Sequence, residues 1–214
     1  MLKTADQNIE WSDKIGGTRI VFEGHPLLLV GGFNFDLAEL PAYPNVLPAG
    51  TPIFIDEQAR TIKIHYAFSV FEKVSNKTAV KVAKGIEGSR VKAGMFLMAA
   101  PNSVETAGTG YEVKSVDTSN EGYDIVTLAS AASFEKEAIL VEATAAGAEA
   151  KVKVVPNCLT DRDKRLDPSA KSSNGDGVWG NDRPILERRI PPVAPAIKKA
   201  LAANECYFRW SNRK

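Results

Sequence analysis

A mainly β protein is what this sequence predicts: a small β-barrel or sandwich with an extended N-terminal arm and a short C-terminal helix. Three observations lead there. Ile62, Ile64, Tyr66, Phe68 and Val70 alternate with Thr61, Lys63, His65, Ala67 and Ser69, the period of a strand with one buried face. Further short apolar stretches recur between turn clusters, at the spacing of a barrel or sandwich. Helical spacing stands out in one place, close to the C-terminus.

Taken in order, residues 1–46 carry short apolar bursts (RIVF, LLLV) broken by Gly16–Gly17, Gly31–Gly32, Pro41 and Pro44. Glycine and proline at that density break helices and leave short extended pieces, so this stretch reads as an arm or a set of edge strands. In "AYPNVLPAGTP", residues 42–52, three prolines and a glycine fix the backbone in turns and mark a boundary. The main β-domain is placed at 47–156. Its strands are the alternating stretch 61–70, then TAVKVA, GMFLMA, GYEVKSV, YDIVTLA and AILVEA, with "DTSNEG" (117–122) as a hairpin loop. AKVKVV (150–155) alternates once more, with Val152 and Val154 inward, and Pro156–Asn157 closes it.

The remainder, 157–214, reads as a basic loop, a short helix and a tail. NCLTDRDKRLDPSAKSSNGDGVWGNDRP spends 28 residues with little apolar periodicity, which reads as a loop. Within it "SNGDGVWGND" is glycine-rich turn chemistry. PPVAPAIKKALAANE places Val193, Ile197, Ala200 and Leu201 at helical spacing, with Lys198 and Lys199 opposite and the prolines confined to the start, where a missing N–H does no harm. CYFRWSNRK closes the chain as a last strand or an aromatic plug.

The 214-residue chain can bury a core without staples. A net charge of +1 sets up no field for phosphate backbones or acidic membranes, so neither nucleic acid nor membrane is an expected partner. That balance conceals an asymmetry: residues 1–156 hold 15 basic and 19 acidic side chains, residues 157–214 hold 12 and 7. Cys158 and Cys206 are too few for a disulfide framework and too far apart for a paired-cysteine motif, and both read as free, packed thiols. The N-terminus has no basic segment leading into an apolar one, and no apolar run reaches 18 residues, so synthesis and folding in a cytoplasm are expected.

The search for chemistry predicts no enzyme, no cofactor and no metal. Phosphate-binding glycine motifs are absent, as are H-E-x-x-H and G-x-S-x-G. His25 and His65 are the only histidines, and His65, on the polar side of its strand, reads as a solvated surface residue. In DRDKRLD, Asp161, Asp163 and Asp167 are interleaved with Arg162, Lys164 and Arg165, which compete with any cation for them. Trp11, Trp179 and Trp210 all lie outside the expected β-core, and large apolar rings in arm, loop and tail point to association.

Five stretches carry a resemblance: "VLPAGTPI" (46–53), "KIHYAFSV" (63–70), "AVKVAKGIEGSRVKAGMFLM" (79–98), "YEVKSVDTSNEGYDIVTL" (111–128) and "AILVEAT" (138–144). In their order of turn, strand, hairpin and loop, the chain resembles the head-fibre and capsid-decoration proteins of tailed phages and of prophages in gut bacteria. The resemblance spans about half the chain and finds no counterpart after residue 157. It implies a non-enzymatic virion structural protein, made in a bacterial cytoplasm and seated on the capsid exterior. Its partners would be the major capsid protein lattice and copies of itself, with a trimer as the expected oligomer. Trp11, Trp179, Trp210, Arg188 and Arg189 are the expected partner contacts, since tryptophan and arginine dominate interface energetics. A carbohydrate-binding or adhesion module of a surface apparatus is the competing expectation.

Overall fold

The computed structural model describes residues 20–36, 45–85, 90–167, 169 and 173–212. It is mainly β, with one short helix near the C-terminus. In chain order the strands are β1 (Pro26–Phe35), β2 (Asn45–Leu47), β3 (Pro52–Asp56), β4 (Thr61–Ile64), β5 (Ala67–Ser69), β6 (Val74–Ala83), β7 (Phe96–Ala99) and β8 (Gly108–Asp117). They continue as β9 (Tyr123–Phe134), β10 (Ile139–Glu142), β11 (Gly147–Ala150), β12 (Cys158–Thr160), β13 (Lys164–Leu166), β14 (Asn174–Asn181), β15 (Ile185–Leu186) and β16 (Trp210–Ser211), with helix α1 (Pro195–Ala203) before the last strand.

Five strands close into a barrel in the order β1-β14-β12-β3-β4, sealed by a short parallel pairing of Asn34 and Phe35 with Thr61 and Ile62. Inward residues alternate along β3 and β4, so Ile53, Ile55, Ile62 and Ile64 meet Phe33, Phe35 and Cys158 in the interior. So narrow a barrel leaves little room on its fifth wall. A methyl group on Gly175 would come within 2.5 Å of the Phe35 ring, and one on Gly177 within 2.6 Å of Ile55 Cδ1. The glycines of β14 are therefore the gaps that the large side chains of β1, β3 and β4 fill.

The alternating stretch then runs from β4 into β5 with only His65 and Tyr66 between them, and the chain passes into a second sheet. That sheet has the order β5-β10-β7-β8-β9-β6, with β11 paired to β8. It curls until its two ends touch: Val70 bridges Val82, and the Phe71 N–H donates to Lys81 O at 2.9 Å. One buried cluster runs through both sheets, from Phe33 and Ile53 to Val82, Leu97, Val126 and Phe134. A second cluster forms where α1 lays Ile197 and Leu201 against Met98, Val141, Leu159 and Ile185. Ala196, Ile197, Ala200 and Leu201 are the buried residues of α1, and Lys198 pairs with Glu187 at 2.6 Å, matching the amphipathic reading.

Several expectations change. The described residues between 157 and 184 supply β12 and β14 to the barrel and β13 to a pair with β2, where a loop was expected. The boundaries drawn at 46/47 and 156/157 cut through that barrel. Periodicity missed β14 because glycines occupy its inward positions, which removes the apolar signal while keeping the strand. AKVKVV buries Val152 and Val154 as expected, yet beyond β11 it pairs only through the Ala143–Val152 bridge. His65 is buried, not solvated, because the segment at Val154 covers that side of its strand.

Candidate interaction surface

The N-terminal half of β1 pairs with β14, and the register slips twice. Leu27 faces Gly180 and Leu28 faces Val178, so Trp179 is an extra residue expelled from the ladder. Farther along, Leu29 faces Gly177 and Phe33 faces Gly175, so Val30, Gly31 and Gly32 stand against the single residue Asp176. Gly32 has a φ of +64°, which a side chain would resist. The displaced apolar side chains end up in solvent: Val30 is 69% exposed and Trp179 is 37% exposed. Leu27 and Leu28, at 42% and 46%, lie beside them.

Tyr207, 59% exposed, extends this surface. Its N–H donates to Trp179 O at 2.9 Å, its carbonyl accepts from the Asn181 N–H at 3.0 Å, and its ring meets Trp179 edge-on at 5.7 Å between centroids. Gly180 lies between Leu27 and Tyr207, close to both side chains. Leu27, Trp179 and Tyr207 thus gather around Gly180, while Leu28 and Val30 are exposed apolar side chains on the same strand pair. At one end of it, Asp182 accepts from the His25 N–H at 2.8 Å, which with the His25 ring holds its carboxyl below the usual carboxylate range. At the other, Arg60 donates to Gly31 O and lies over the Phe33 ring at 4.9 Å.

The remaining expected contacts are distributed differently. Trp210 is half-buried in β16, tilted against Phe208 at 5.7 Å and capped by Lys198 Nζ at 5.2 Å from its ring. Arg189 Nη1 donates to Ile20 O at 2.9 Å and to Glu23 Oε1 at 2.8 Å, pinning the incoming N-terminal segment. Arg188 is exposed. Trp11 lies outside the described residues. Sequence reasoning missed Leu27, Leu28, Val30 and Tyr207; the signal available was "LLLV" followed directly by Gly31–Gly32, an apolar run ending in a break.

The titratable groups have structural partners. His65 Nδ1 lies 2.7 Å from Val154 O, its Nε2 has no hydrogen-bond partner among the described residues, and burial lowers its pKa to about 4. Asp163 accepts from the Ala49 N–H at 2.7 Å, Asp161 from Arg162 Nε at 2.6 Å, and Asp167 from Ser169. Cys158 and Cys206 are free and buried, and burial pushes their thiols up to about 12 and about 11. Among the described residues no three histidine, cysteine, aspartate or glutamate side chains gather as a metal site would require. A shallow groove of about 390 Å³ lies between the ends of β7, β8 and β9, lined by Met98, Asn102, Thr106, Thr109, Tyr111 and Phe134 among others.

No protein-family model, curated protein or solved structure matches the chain.

Proposed function

We propose that the chain is a non-enzymatic structural subunit of a tailed-phage virion, a head fibre or decoration protein that binds the major capsid protein lattice from outside. The observation that carries this reading is the set of exposed apolar side chains around one strand pair, Leu27, Leu28, Val30, Trp179 and Tyr207. Large exposed apolar side chains concentrated on one element pair, with two of them aromatic and in contact, mark sites of protein association. Two interruptions of one strand pair expel Trp179 and Val30, and such bulges re-aim side chains at working surfaces. A β-module that adheres through its surface needs a rigid scaffold and no convergent ionisable cleft. The five motifs resembling head-fibre and decoration proteins supply the particular assembly.

Co-sedimentation tests the proposal. The purified chain, mixed with assembled heads of the phage whose genome carries it, should pellet with the heads and stay soluble with free coat subunits. Failure to bind heads from which the chain has been deleted would refute it.

The groove beside Tyr111 favours a second reading, carbohydrate binding. The Tyr111 ring is braced edge-on by Phe134 at 5.7 Å, and Asn102, Thr106, Thr109 and Ser133 supply hydrogen-bonding groups around it. A glycan-array signal abolished by Tyr111→Ala, with no binding to heads, would select this reading instead.

A further inference from the structure

We propose that Lys84 and Asp124 condense into an isopeptide bond, a side-chain amide that ties the end of β6 to the start of β9. The proposal stands independently of the virion reading, because the isolated chain tests it.

Strand register brings the two groups together. In the β6–β9 ladder Val82 faces Asp124 and Ala83 faces Tyr123, and the Lys84 N–H donates to Gly122 O at 3.1 Å. Lys84 therefore leaves β6 where the 117–122 loop hands the chain to β9. Its side chain is 19% exposed and that of Asp124 is 1% exposed, and Nζ lies 3.1 Å from Asp124 Oδ1. A carboxylate buried this deeply is normally hydrogen-bonded. Among the described residues neither Asp124 oxygen accepts a hydrogen bond, so Lys84 meets the carboxylate by close approach alone.

The amine is held for attack. Nζ donates to Thr118 O at 2.6 Å and to Asn120 O at 2.5 Å. These carbonyls engage two of its N–H groups and leave the third for the side of Asp124. Transfer of that third proton to Oδ1 turns the ion pair into a neutral amine and a carboxylic acid, with the nitrogen lone pair directed at the carboxyl. Oδ1 at 3.1 Å places Cγ, one bond away, close to the separation of about 3–3.5 Å from which reacting atoms join.

The step balances. Nζ bonds to Cγ, the bond from Cγ to the protonated oxygen breaks, and a second proton from Nζ leaves with that oxygen as water. The amide keeps one N–H, for which Thr118 O and Asn120 O are both at hand, and the other carboxyl oxygen becomes its carbonyl. No oxidant or further reactant enters. Two effects favour the product. A buried ion pair, costly to desolvate, gives way to a neutral group. A pair fixed in contact also reacts at effective molarities of about 10⁵–10⁸ M, which offsets the bias of water toward hydrolysis.

Intact mass spectrometry on the full chain decides. The purified wild type should weigh one water less than its sequence, and fragmentation of its digest should find residue 84 joined to residue 124. Asp124→Asn can form the same amide by losing ammonia, so it should arrive at the wild-type mass. Lys84→Arg and Asp124→Ala should each carry their full sequence mass. A wild type without the water loss overturns the proposal. A water loss that persists in Lys84→Arg overturns it too, by placing the dehydration elsewhere, as in a succinimide at Asp176–Gly177.

Discussion

Thr51 and Thr160, far apart in sequence, hydrogen-bond to the same carbonyl. Pro48 O accepts from Thr51 Oγ1 at 2.7 Å and from Thr160 Oγ1 at 2.8 Å, and Thr160 Oγ1 in turn accepts from the Thr51 N–H at 3.0 Å. The turn in "LPAGTP" is therefore a buried fastening between β3, which it leads into, and β12, which pairs with β3 from far along the chain. Thr160→Val keeps the shape and removes the hydroxyl. It leaves the Thr51 N–H without this acceptor and should lower stability by about 1–3 kcal/mol, read as a lower urea midpoint at unchanged m-value.

His65 makes stability depend on pH. Its folded-state pKa, about 4, lies below the ordinary value of 6.5, so the unfolded chain takes up the proton first. Its penalty is absent above pH 6.5, grows as pH falls toward 4, and levels off below. A gap of this size corresponds to about 3 kcal/mol at full development. Urea unfolding at intervals between pH 7 and pH 4 should show that slope in the wild type. His65→Asn, which retains a donor for Val154 O and does not titrate, should start less stable and lose this contribution to the slope.

Gly110 and Gly122 make a matched pair. A methyl group at Gly110 would sit 2.1 Å from the backbone oxygen of Ala145, whereas one at Gly122 would have nothing within 4 Å. Gly110→Ala forces β8 away from the chain leading into β11 and should cost about 3 kcal/mol, and Gly122→Ala should change stability little. Thermal melts of the two variants give the comparison directly.

The cysteines should be silent toward alkylating reagents. With thiols raised to about 12 and about 11, neither Cys158 nor Cys206 offers an appreciable thiolate at pH 8. Iodoacetamide should leave the native protein unmodified by mass spectrometry and add two groups in urea. Rapid labelling of the folded chain would show that Cys206, held by its contact to Asn157 O at 2.8 Å, opens to solvent.

The parts of the fold legible in the sequence are those where burial follows a simple period. Ile62 to Val70 alternate because β4 and β5 continue one another, and Ile197, Ala200 and Leu201 repeat because one face of α1 meets the second core. The end of β6 and the first half of β9 follow the same rule, while β7 and β10, buried on consecutive residues, were legible as short apolar runs. β14 was illegible because its inward wall is built from absent side chains, and no hydropathy pattern distinguishes a glycine that makes room from a glycine that makes a turn. His65 misled for a related reason: strand parity tells which side a residue faces, and only the tertiary packing of residues 152–156 tells that the side is covered. Of the interaction surface, Trp179 was legible as a large ring outside the expected core. Leu27, Leu28 and Val30 were not, since an apolar run gives no sign that a bulge will turn it outward.

The five-stranded barrel draws three of its walls from early in the chain and two from beyond residue 157. During synthesis the intervening sheet, a contiguous stretch, has all its partners on hand well before β12 and β14 leave the ribosome. The first-made strands therefore wait, half-enclosed, for the last-made ones. A message truncated between β11 and β14 yields a polypeptide whose second sheet has all its strands and whose barrel stands open along one seam.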